Sequence, residues 1–314
     1  MMLIRPIHRD ELTAFAAVAT APDHVTPVRE YLDQMLTQGA MQAAWCFVAE
    51  EAGRLVGRIA YWTLPRLGTP LAAVLLDVAW HGDYLAVGRP LLLETIAAVR
   101  ALGAGEVSHV LDSPPQWPQW QHFPDQRRAL LTDVGFAIER ETVRFEWRAT
   151  DMQPLLSRRL TFRSLLDVGE SALLEAIERV SAASLDRRIE QGRSTQGTRH
   201  AAHDLLTLLQ SMEYDPTWWQ LAYTADHDLV GLVMPARNPT SGTIGYLGVV
   251  PEHRGHGYVN DLLGQATAIL HAAGVESIRA DVDVANLPMA NAFRRAGYTA
   301  FATRQEYVLH AMRA

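Results

Sequence analysis

Apolar and polar positions along the chain predict one succession of elements that occurs twice. In each half a short apolar strand leads into an amphipathic helix, then a hairpin that ends in Leu-Val-Gly, and finally an alternating strand after a Gly-aromatic pair. In the first half these elements span 3–5, 11–18, 47–57 and 139–147, and in the second half 160–163, 170–180, 221–231 and 302–309. The repetition predicts a duplicated fold whose halves differ in loop length.

The join is expected near 149–156, where Thr150, Asp151 and Pro154 interrupt the pattern. A length of 314 residues also favours two domains. We therefore predict domains at 1–150 and 151–314. The fold class is α+β in each half, with a mixed, mostly antiparallel sheet flanked by helices.

The segment 243–263 carries the most specific pattern in the chain. An apolar, β-rich run ends at Pro251, and apolar positions beyond Gly257 recur at helical spacing until about Gly274. Gly255 and Gly257 remove two side chains from the intervening turn, so that main-chain N–H groups can converge at the positive end of the helix dipole. Such a turn is predicted to bind phosphate.

Two common nucleotide-binding motifs do not fit this segment. No Gly-Lys-Ser/Thr follows the glycines, which excludes a P-loop. A Rossmann fingerprint requires a third glycine where the chain has Asn260.

The segment resembles motif A of the GNAT superfamily of acyl-CoA N-acyltransferases. Arg254 and Gly257, preceded by Val249-Val250-Pro251, fit that motif, whereas Val259 stands where the family usually has Gly or Ala. Further along, residues 286–298 resemble motif B. There Asn286 and Gly297-Tyr298 match, Met289 replaces a small residue and Phe293 replaces a tyrosine. The whole chain resembles, in layout, tandem members of the superfamily with one degenerate half, mycothiol synthases among them.

The resemblance implies that the second half binds acetyl-CoA and acetylates a primary amine of a small molecule or peptide by direct attack. It assigns the pantetheine to Gly248, Val249 and Val250, with the Val250 N–H as oxyanion donor, and orientation of the arm to Asn286. The residues implied for the pyrophosphate are Arg254, Gly255, His256, Gly257, Tyr258 and Val259.

The proton-transfer groups are less well defined. Phe293 has no O–H with which to protonate the leaving thiolate. Tyr298, Tyr246 and Tyr307 are the candidates to replace it, with core aromatics as the alternative for each. Glu252, His253 and His256 lie in the phosphate-binding turn, about a pantetheine length from the chemistry, so they are poor candidates for the base.

The first half lacks this turn after its corresponding strand, and Asp77 and Asp83 would repel a pyrophosphate. A helix is expected to follow over 90–100. We expect the first half to keep the fold without the cofactor. Its Pro- and Trp-rich segment 113–120 is predicted to be a packed connection or part of a domain interface, with a recognition strip as the alternative.

The acceptor pocket is expected between 184 and 204, where Asp186, Glu190 and Asp204 could attract an ammonium group, unless they only form an exposed helix face. The formal net charge of −7 agrees weakly with a cationic substrate. Two histidine pairs, at 200/203 and 253/256, lack a third ligand, so no metal is expected.

Composition excludes several classes. Hydrophobic residues at 48% and charged residues at 20% indicate a folded globular chain. The sequence has no cluster of Lys and Arg of the kind that binds nucleic acid. Cys46, in an apolar run, is predicted to lie in the core. The sequence shows no apolar leader and no apolar run of membrane length, so the expected location is the cytoplasm. Formation of a homodimer is a further possibility that the sequence leaves undecided. The competing function is a non-catalytic acyl-CoA sensor or interaction module, which Phe293 and Val259 favour.

Overall fold

The computed structural model describes residues 2–64, 67–150, 156 and 158–310. It contains two compact units, of which unit 1 comprises Met1–Glu141 and Arg304–Ala314 and unit 2 comprises Thr142–Thr303. This division differs from the expected one at 150/151, because the strands Ala137–Arg148 and Thr299–Leu309 each run across a unit boundary. Asp151 and Pro154 of the expected join lie outside the described residues.

Unit 1 has helices on both faces of its sheet. Its strands and helices are β1 Met2–Pro6, α1 Leu12–Ala17, α2 Val25–Thr37, β2 Cys46–Glu51, β3 Arg54–Trp62, β4 Ala72–Val78, α3 Tyr84–Ala101, β5 Val107–Ser113 and α4 Pro124–Val134. Strands β1 to β4 pair antiparallel in succession, and β4 and β5 are parallel. One apolar cluster contains residues of α3 and α4 and the other residues of α1 and α2, so both sheet faces are covered.

Unit 2 repeats this arrangement. The elements that follow along the chain are β6 Ala137–Arg148, β7 Thr161–Ser164, α5 Leu165–Val168, α6 Glu170–Val180, α7 Arg187–Gln196, α8 Thr198–Gln210, β8 Gln220–Tyr223, β9 Leu229–Arg237, β10 Gly242–Val249, α9 Tyr258–Ala272, β11 Ser277–Asp283, α10 Leu287–Arg295 and β12 Thr299–Leu309. Of β6 and β12, unit 2 includes the parts from Thr142 onward and up to Thr303. Strands β7 to β10 pair antiparallel, β10 and β11 are parallel, and β11 is antiparallel to β6. Helices α9 and α10 pack in one apolar cluster, and α6 and α8 in another.

The two units therefore share one element order, and the predicted mixed sheet flanked by helices is confirmed. The helix predicted over 170–180 is confirmed as α6, which begins and ends at the predicted residues. The helix predicted at 90–100 instead begins at Tyr84, because Asp83 caps it by accepting a hydrogen bond from the Ala86 N–H, and Pro90 lies inside it.

Each unit receives its sixth strand from the other half of the sequence. In unit 1 the strand order is β1-β2-β3-β4-β5-β12, and the part of β12 from Arg304 onward belongs to this unit. In unit 2 the order is β6-β11-β10-β9-β8-β7, with Thr142–Arg148 of β6 paired to β11. The duplicated halves are thus not two separate stretches of chain.

Two further expectations concern burial and membranes. Cys46 is fully buried, and burial raises the pKa of its thiol to about 12, so the sulfur is an inert part of the core. Within the described part of the chain, no helix has both the length and the apolar character needed to cross a bilayer.

Candidate functional site

The parallel strands of unit 2 separate soon after they pair. Strands β10 and β11 are in register only at Gly242 with Ile278 and Thr243 with Arg279, yet β10 continues to Val249 and β11 to Asp283. A bulge at Gly245 shifts the register of β10 against β9 just where the separation begins. A gap therefore opens between the two strands, with main-chain groups on its β10 side.

Alternation along β10 decides which groups face that gap. The Val250 N–H donates to the Val230 carbonyl at 2.9 Å, which makes positions 250 and 248 hydrogen-bonded partners of β9. Since successive residues of a strand direct their N–H and C=O groups to opposite sides, those of Leu247 and Val249 point away from β9. Leu247 and Val249 thus present the main chain to the gap.

This arrangement differs from the predicted role of Val250. Its N–H already has a partner in β9 and its side chain is fully buried, so it is not available as an oxyanion donor. The available N–H on the gap side is that of Val249. The Gly248 side of the strand is covered by α6, because a Cβ at Gly248 would collide with Cγ1 of Val180.

The glycine-rich turn leads from β10 into α9 as the sequence predicts. Gly255 and Gly257 have φ angles of +82° and +76°, a region that favours glycine, and Gly257 is the N-cap of the 15-residue helix α9. A Cβ at Gly255 would meet nothing within 4 Å, so the turn borders open space. Tyr258 and Val259 form the first turn of the helix, where main-chain N–H groups lack intrahelical partners.

Arg254 has a different role from the one predicted. Its guanidinium donates to the carbonyl oxygens of Val249 at 3.1 Å, Val180 at 3.0 Å, Ala182 at 2.7 Å and Ala183 at 3.1 Å. The side chain thus ties the turn to the carboxyl end of α6 rather than pointing to a phosphate. Four acceptors for one guanidinium make Arg254 a positioning residue.

Two arginines that the sequence did not single out lie at the first turn of α9. Arg159 forms an ion pair with Asp261 and lies over the Tyr258 ring, 5.0 Å from its centroid. Arg295 donates to the Asn260 side-chain oxygen at 3.1 Å. The positive charge beside this turn therefore comes from residues distant in sequence.

The motif B residues are mainly structural. The Asn286 side chain caps α10 by accepting a hydrogen bond from the Met289 N–H at 3.3 Å. Phe293 stacks on Phe145 with 5.3 Å between ring centroids, and the Tyr298 hydroxyl is 2.7 Å from that of Thr267. Burial raises the pKa of Tyr298, which is only 3% exposed.

The three candidate tyrosines lie in different surroundings. Tyr298 is part of the core between α9 and α10, and Tyr307 is buried in the core of unit 1. Tyr246 is only partly buried, on the face of β10 that packs against α6 and α8. Burial and the negative charge of Asp186 raise the pKa of Tyr246, so it is a neutral phenol at physiological pH.

The remaining candidates are peripheral. Glu252 is exposed and pairs with Arg179, and its own backbone N–H together with that arginine lowers the pKa of the carboxyl group. His256 is exposed, with Nδ1 3.3 Å from the His253 carbonyl. Among the described residues, no three His, Cys, Asp or Glu side chains are grouped to hold a metal.

The acidic residues expected around the acceptor pocket are on helices α7 and α8 or just before them. Asp186 caps α7 by accepting a hydrogen bond from the Ile189 N–H at 3.1 Å. Glu190 is exposed, and the Asp204 side chain, 55% exposed, lies 3.8 Å from His200. Asp186 is thus part of a helix cap, whereas Glu190 and Asp204 are exposed on their helices.

Unit 1 has the same separation of parallel strands, between β4 and β5 after Ala73 and His109. There the gap is filled by glutamines from the Pro- and Trp-rich segment and its continuation. Gln119 accepts from the Leu75 N–H of β4 at 3.1 Å, and Gln121 both accepts from the Asp112 N–H and donates to the Val110 carbonyl of β5. The main-chain groups that remain open in unit 2 are therefore bonded within unit 1.

A buried ionic network reinforces this closure. Asp77 accepts from Arg58 and Arg127, and Arg127 also donates to the carbonyl oxygens of Leu76 and His122. The segment is anchored by aromatic contacts, since Trp120 stacks on His24 and Trp117 packs edge-on against Tyr31. The segment is thus a packed connection, one of the alternatives that the sequence allowed.

Comparisons with known proteins concern the family and the fold. Residues 184–298 match the profile of the acetyltransferase (GNAT) family, and a search of curated proteins returns no match. A GCN5-related N-acetyltransferase from Sphaerobacter thermophilus is 17% identical, with a TM-score of 0.64 over 98% of this chain and 95% of that protein. A tandem GNAT protein from the clavulanic acid biosynthesis pathway is 15% identical, with a TM-score of 0.53 over 100% of both chains.

A third structure, the glucosamine N-acetyltransferase region of a fungal multi-domain β-N-acetylglucosaminidase, is 14% identical with a TM-score of 0.57. The aligned region covers 98% of this chain and 38% of the fungal chain. At such identities these likenesses show the fold. Residues 184–298 thus match the acetyltransferase (GNAT) family profile, and the chain has a fold that it shares with solved acetyltransferase and tandem GNAT structures.

Proposed function

We propose that unit 2 transfers an acetyl group from acetyl-CoA to a primary amine of a small molecule or peptide. The family profile over 184–298 supports acyl transfer from an acyl-CoA in general. The observation that carries the proposal further is the gap between β10 and β11, which ends at a glycine turn and a helix N-terminus. A gap lined by main-chain groups fits an extended amide-bearing arm, and the turn fits its diphosphate.

Binding roles follow from the directions of the main-chain groups. The main-chain N–H and C=O of Leu247 face the gap and would pair with an amide of the pantetheine arm, as an added strand pairs with a sheet edge, while the Val249 carbonyl is taken by Arg254. The N–H groups from Gly255 to Val259 would hold the pyrophosphate, with Arg295 supplying positive charge and Arg159 paired with Asp261 beside it. Arg254 keeps the turn in place through its four carbonyl acceptors.

The reaction that we propose is direct attack of the amine on the thioester carbonyl. The thioester supplies an activated acyl group, so no protein nucleophile is required. The Val249 N–H would stabilise the developing oxyanion, because it points into the gap and has a preorganised direction. As the C–S bond breaks, the Tyr246 hydroxyl, which is kept protonated by its surroundings, would donate its proton to the departing thiolate, and the proton that the attacking nitrogen loses would restore the hydroxyl.

Acetyl-CoA is assigned to unit 2 alone. In unit 1 the equivalent gap is bonded by Gln119 and Gln121, and Asp77 occupies the position next to it as a buried anion. A pantetheine arm would have to displace these hydrogen bonds and face a carboxylate. The first unit is therefore proposed to support the fold without binding the co-substrate.

The test is release of free thiol from acetyl-CoA by the purified protein with a panel of amines, together with calorimetry of CoA binding. We expect one binding site per chain and amine-dependent thiol release. Binding without release by any amine of a broad panel would favour an acyl-CoA sensor. Absence of binding would refute both the site and the reaction.

A further inference from the structure

A cavity of about 200 Å³ lies between α6, α7 and α8 of unit 2. Its walls are mostly aliphatic, with Ile177, Ile189, Leu205 and Leu208 among the lining residues. Charged side chains at its edge are those of Arg188, Arg193 and Asp204. The cavity thus suits a ligand with an apolar body and a polar end.

Arg193 is the unusual member of this lining. Its Nε and Nη1 atoms are both buried and have no hydrogen-bond partner among the described residues. A guanidinium keeps its charge at all physiological pH values and can only donate hydrogen bonds. Since buried donors in proteins are nearly always paired, these nitrogens indicate a missing acceptor.

The nearby carboxylates have other roles. Asp186 caps α7, and Asp204 is more than half exposed and lies beside His200. The one acidic side chain that lines the cavity is therefore turned largely to solvent. An anion from outside the chain remains the natural partner for the buried Arg193 nitrogens.

The cavity lies beside the end of α6 that packs on β10. Ser181, which lines the cavity, directly follows Val180, the residue seated against Gly248. Tyr246, also on β10, is close enough to Arg193 for the positive charge of the guanidinium to oppose the rise of the tyrosine pKa. Tyr246 therefore belongs to the strand that is proposed to hold the thioester and lies within electrostatic range of Arg193.

We propose that this cavity binds the carboxylate of the acceptor through Arg193, so that the acceptor is an amino carboxylate with an apolar side chain. The proposal rests on the proposed function, because it names the acceptor class of the same site. It reverses the expectation that acidic residues of 184–204 attract an ammonium group. A polycationic acceptor would leave the Arg193 nitrogens unpaired and bring like charges together.

The test compares amino acids with the amines that lack only the carboxylate: leucine with isopentylamine, and phenylalanine with phenethylamine. Ligand binding to the full chain is followed through the Arg193 Nε–Hε signal in NMR spectra, with and without CoA. We expect the amino acids to shift this signal and the amines to leave it in place. In Arg193→Gln, amino acid affinity should fall about 10- to 100-fold, the effect of losing a charge-assisted hydrogen bond.

Arg193→Lys should retain part of the affinity, and Arg199→Gln, at an exposed site on α8, should retain all of it. An Arg193 signal unmoved by either amino acid at 20 mM, or equal affinity for amino acid and amine, would overturn the proposal. CoA binding measured separately by calorimetry distinguishes this failure from failure of the acyl-transfer site. If CoA binds but the amino acids do not shift the Arg193 signal, the proposed acceptor class is wrong and the proposed CoA site still holds.

Discussion

Gly248 of β10 lies directly against Val180 at the end of α6, so closely that a Cβ atom on the glycine would collide with Cγ1 of the valine. Gly248→Ala should therefore push α6 away from the strand and lower the free energy of unfolding by about 1–3 kcal/mol, the usual cost of overpacking. Denaturant unfolding measures this change. Gly105→Ala, where a Cβ meets nothing within 4 Å, is the control and should change stability by less than about 0.5 kcal/mol. Equal midpoints for the two variants would contradict the described packing.

Gly257→Asp should abolish most of the acetyl-CoA affinity, because it places a carboxylate at the turn that is proposed to hold the diphosphate. We expect a loss of at least about 100-fold in calorimetry, since juxtaposed like charges cost several kcal/mol. The matched control is Gly274→Asp at the other end of α9, where φ is +77° and the backbone strain is the same. Comparable losses of affinity in both variants would show that strain, and not charge, is the cause.

Tyr246→Phe should reduce kcat about 100-fold with little change in KM if the phenol protonates the leaving thiolate. Tyr298→Phe should leave kcat unchanged and lower stability by about 1 kcal/mol, because its hydroxyl only bonds to Thr267. Burial and Asp186 raise the pKa of Tyr246, so the acid form persists to higher pH than for a free tyrosine. The kcat of the wild-type protein should accordingly show no alkaline fall below pH 10. A large loss of kcat in Tyr298→Phe, with kcat unchanged in Tyr246→Phe, would assign the proton donor to Tyr298 instead.

His109 should make unit 1 sensitive to acid. Its Nδ1–H donates to the Ala73 carbonyl at 2.9 Å, and burial lowers its pKa from 6.5 to about 4. Between these values the unfolded chain binds a proton that the folded chain does not. The free energy of unfolding should therefore fall as pH decreases from 6.5, by about 3 kcal/mol at pH 4.

His109→Gln removes the titrating group and should flatten this dependence, measured by denaturant unfolding at pH 7, 5.5 and 4.5. His203→Gln, at an exposed position, is the control and should leave the dependence as in the wild type. An unchanged slope in His109→Gln would mean that other groups dominate the acid sensitivity.

The sequence predicted elements well where apolar periodicity was continuous. The hairpins, α6 and the strand–turn–helix around Gly257 occur as expected, because side-chain period and glycine placement report local structure directly. The start of α3 was missed, since Pro90 resembled a first-turn proline and hid the true cap at Asp83. The exchange of β6 and β12 could not be foreseen, because strand order depends on contacts between distant segments.

The candidate site was predicted only in part. Glycine positions indicate a turn, but the direction of each main-chain group depends on register, which is why Val249 rather than Val250 faces the gap. Arg254 was assigned to phosphate from its motif, and its four carbonyl acceptors appear only in the fold. Arg159, Arg193 and Arg295 have no local pattern that distinguishes them from solvated arginines.

The exchanged strands tie the maturation of unit 1 to synthesis of the whole of unit 2. During translation, β5 emerges long before Arg304–Leu309 of β12, the segment that completes the unit 1 sheet. Until then the nascent unit carries an unpaired β5 edge, which is open to mispairing with other chains. A nascent chain that has reached only residues 160–300 would thus still expose this β5 edge.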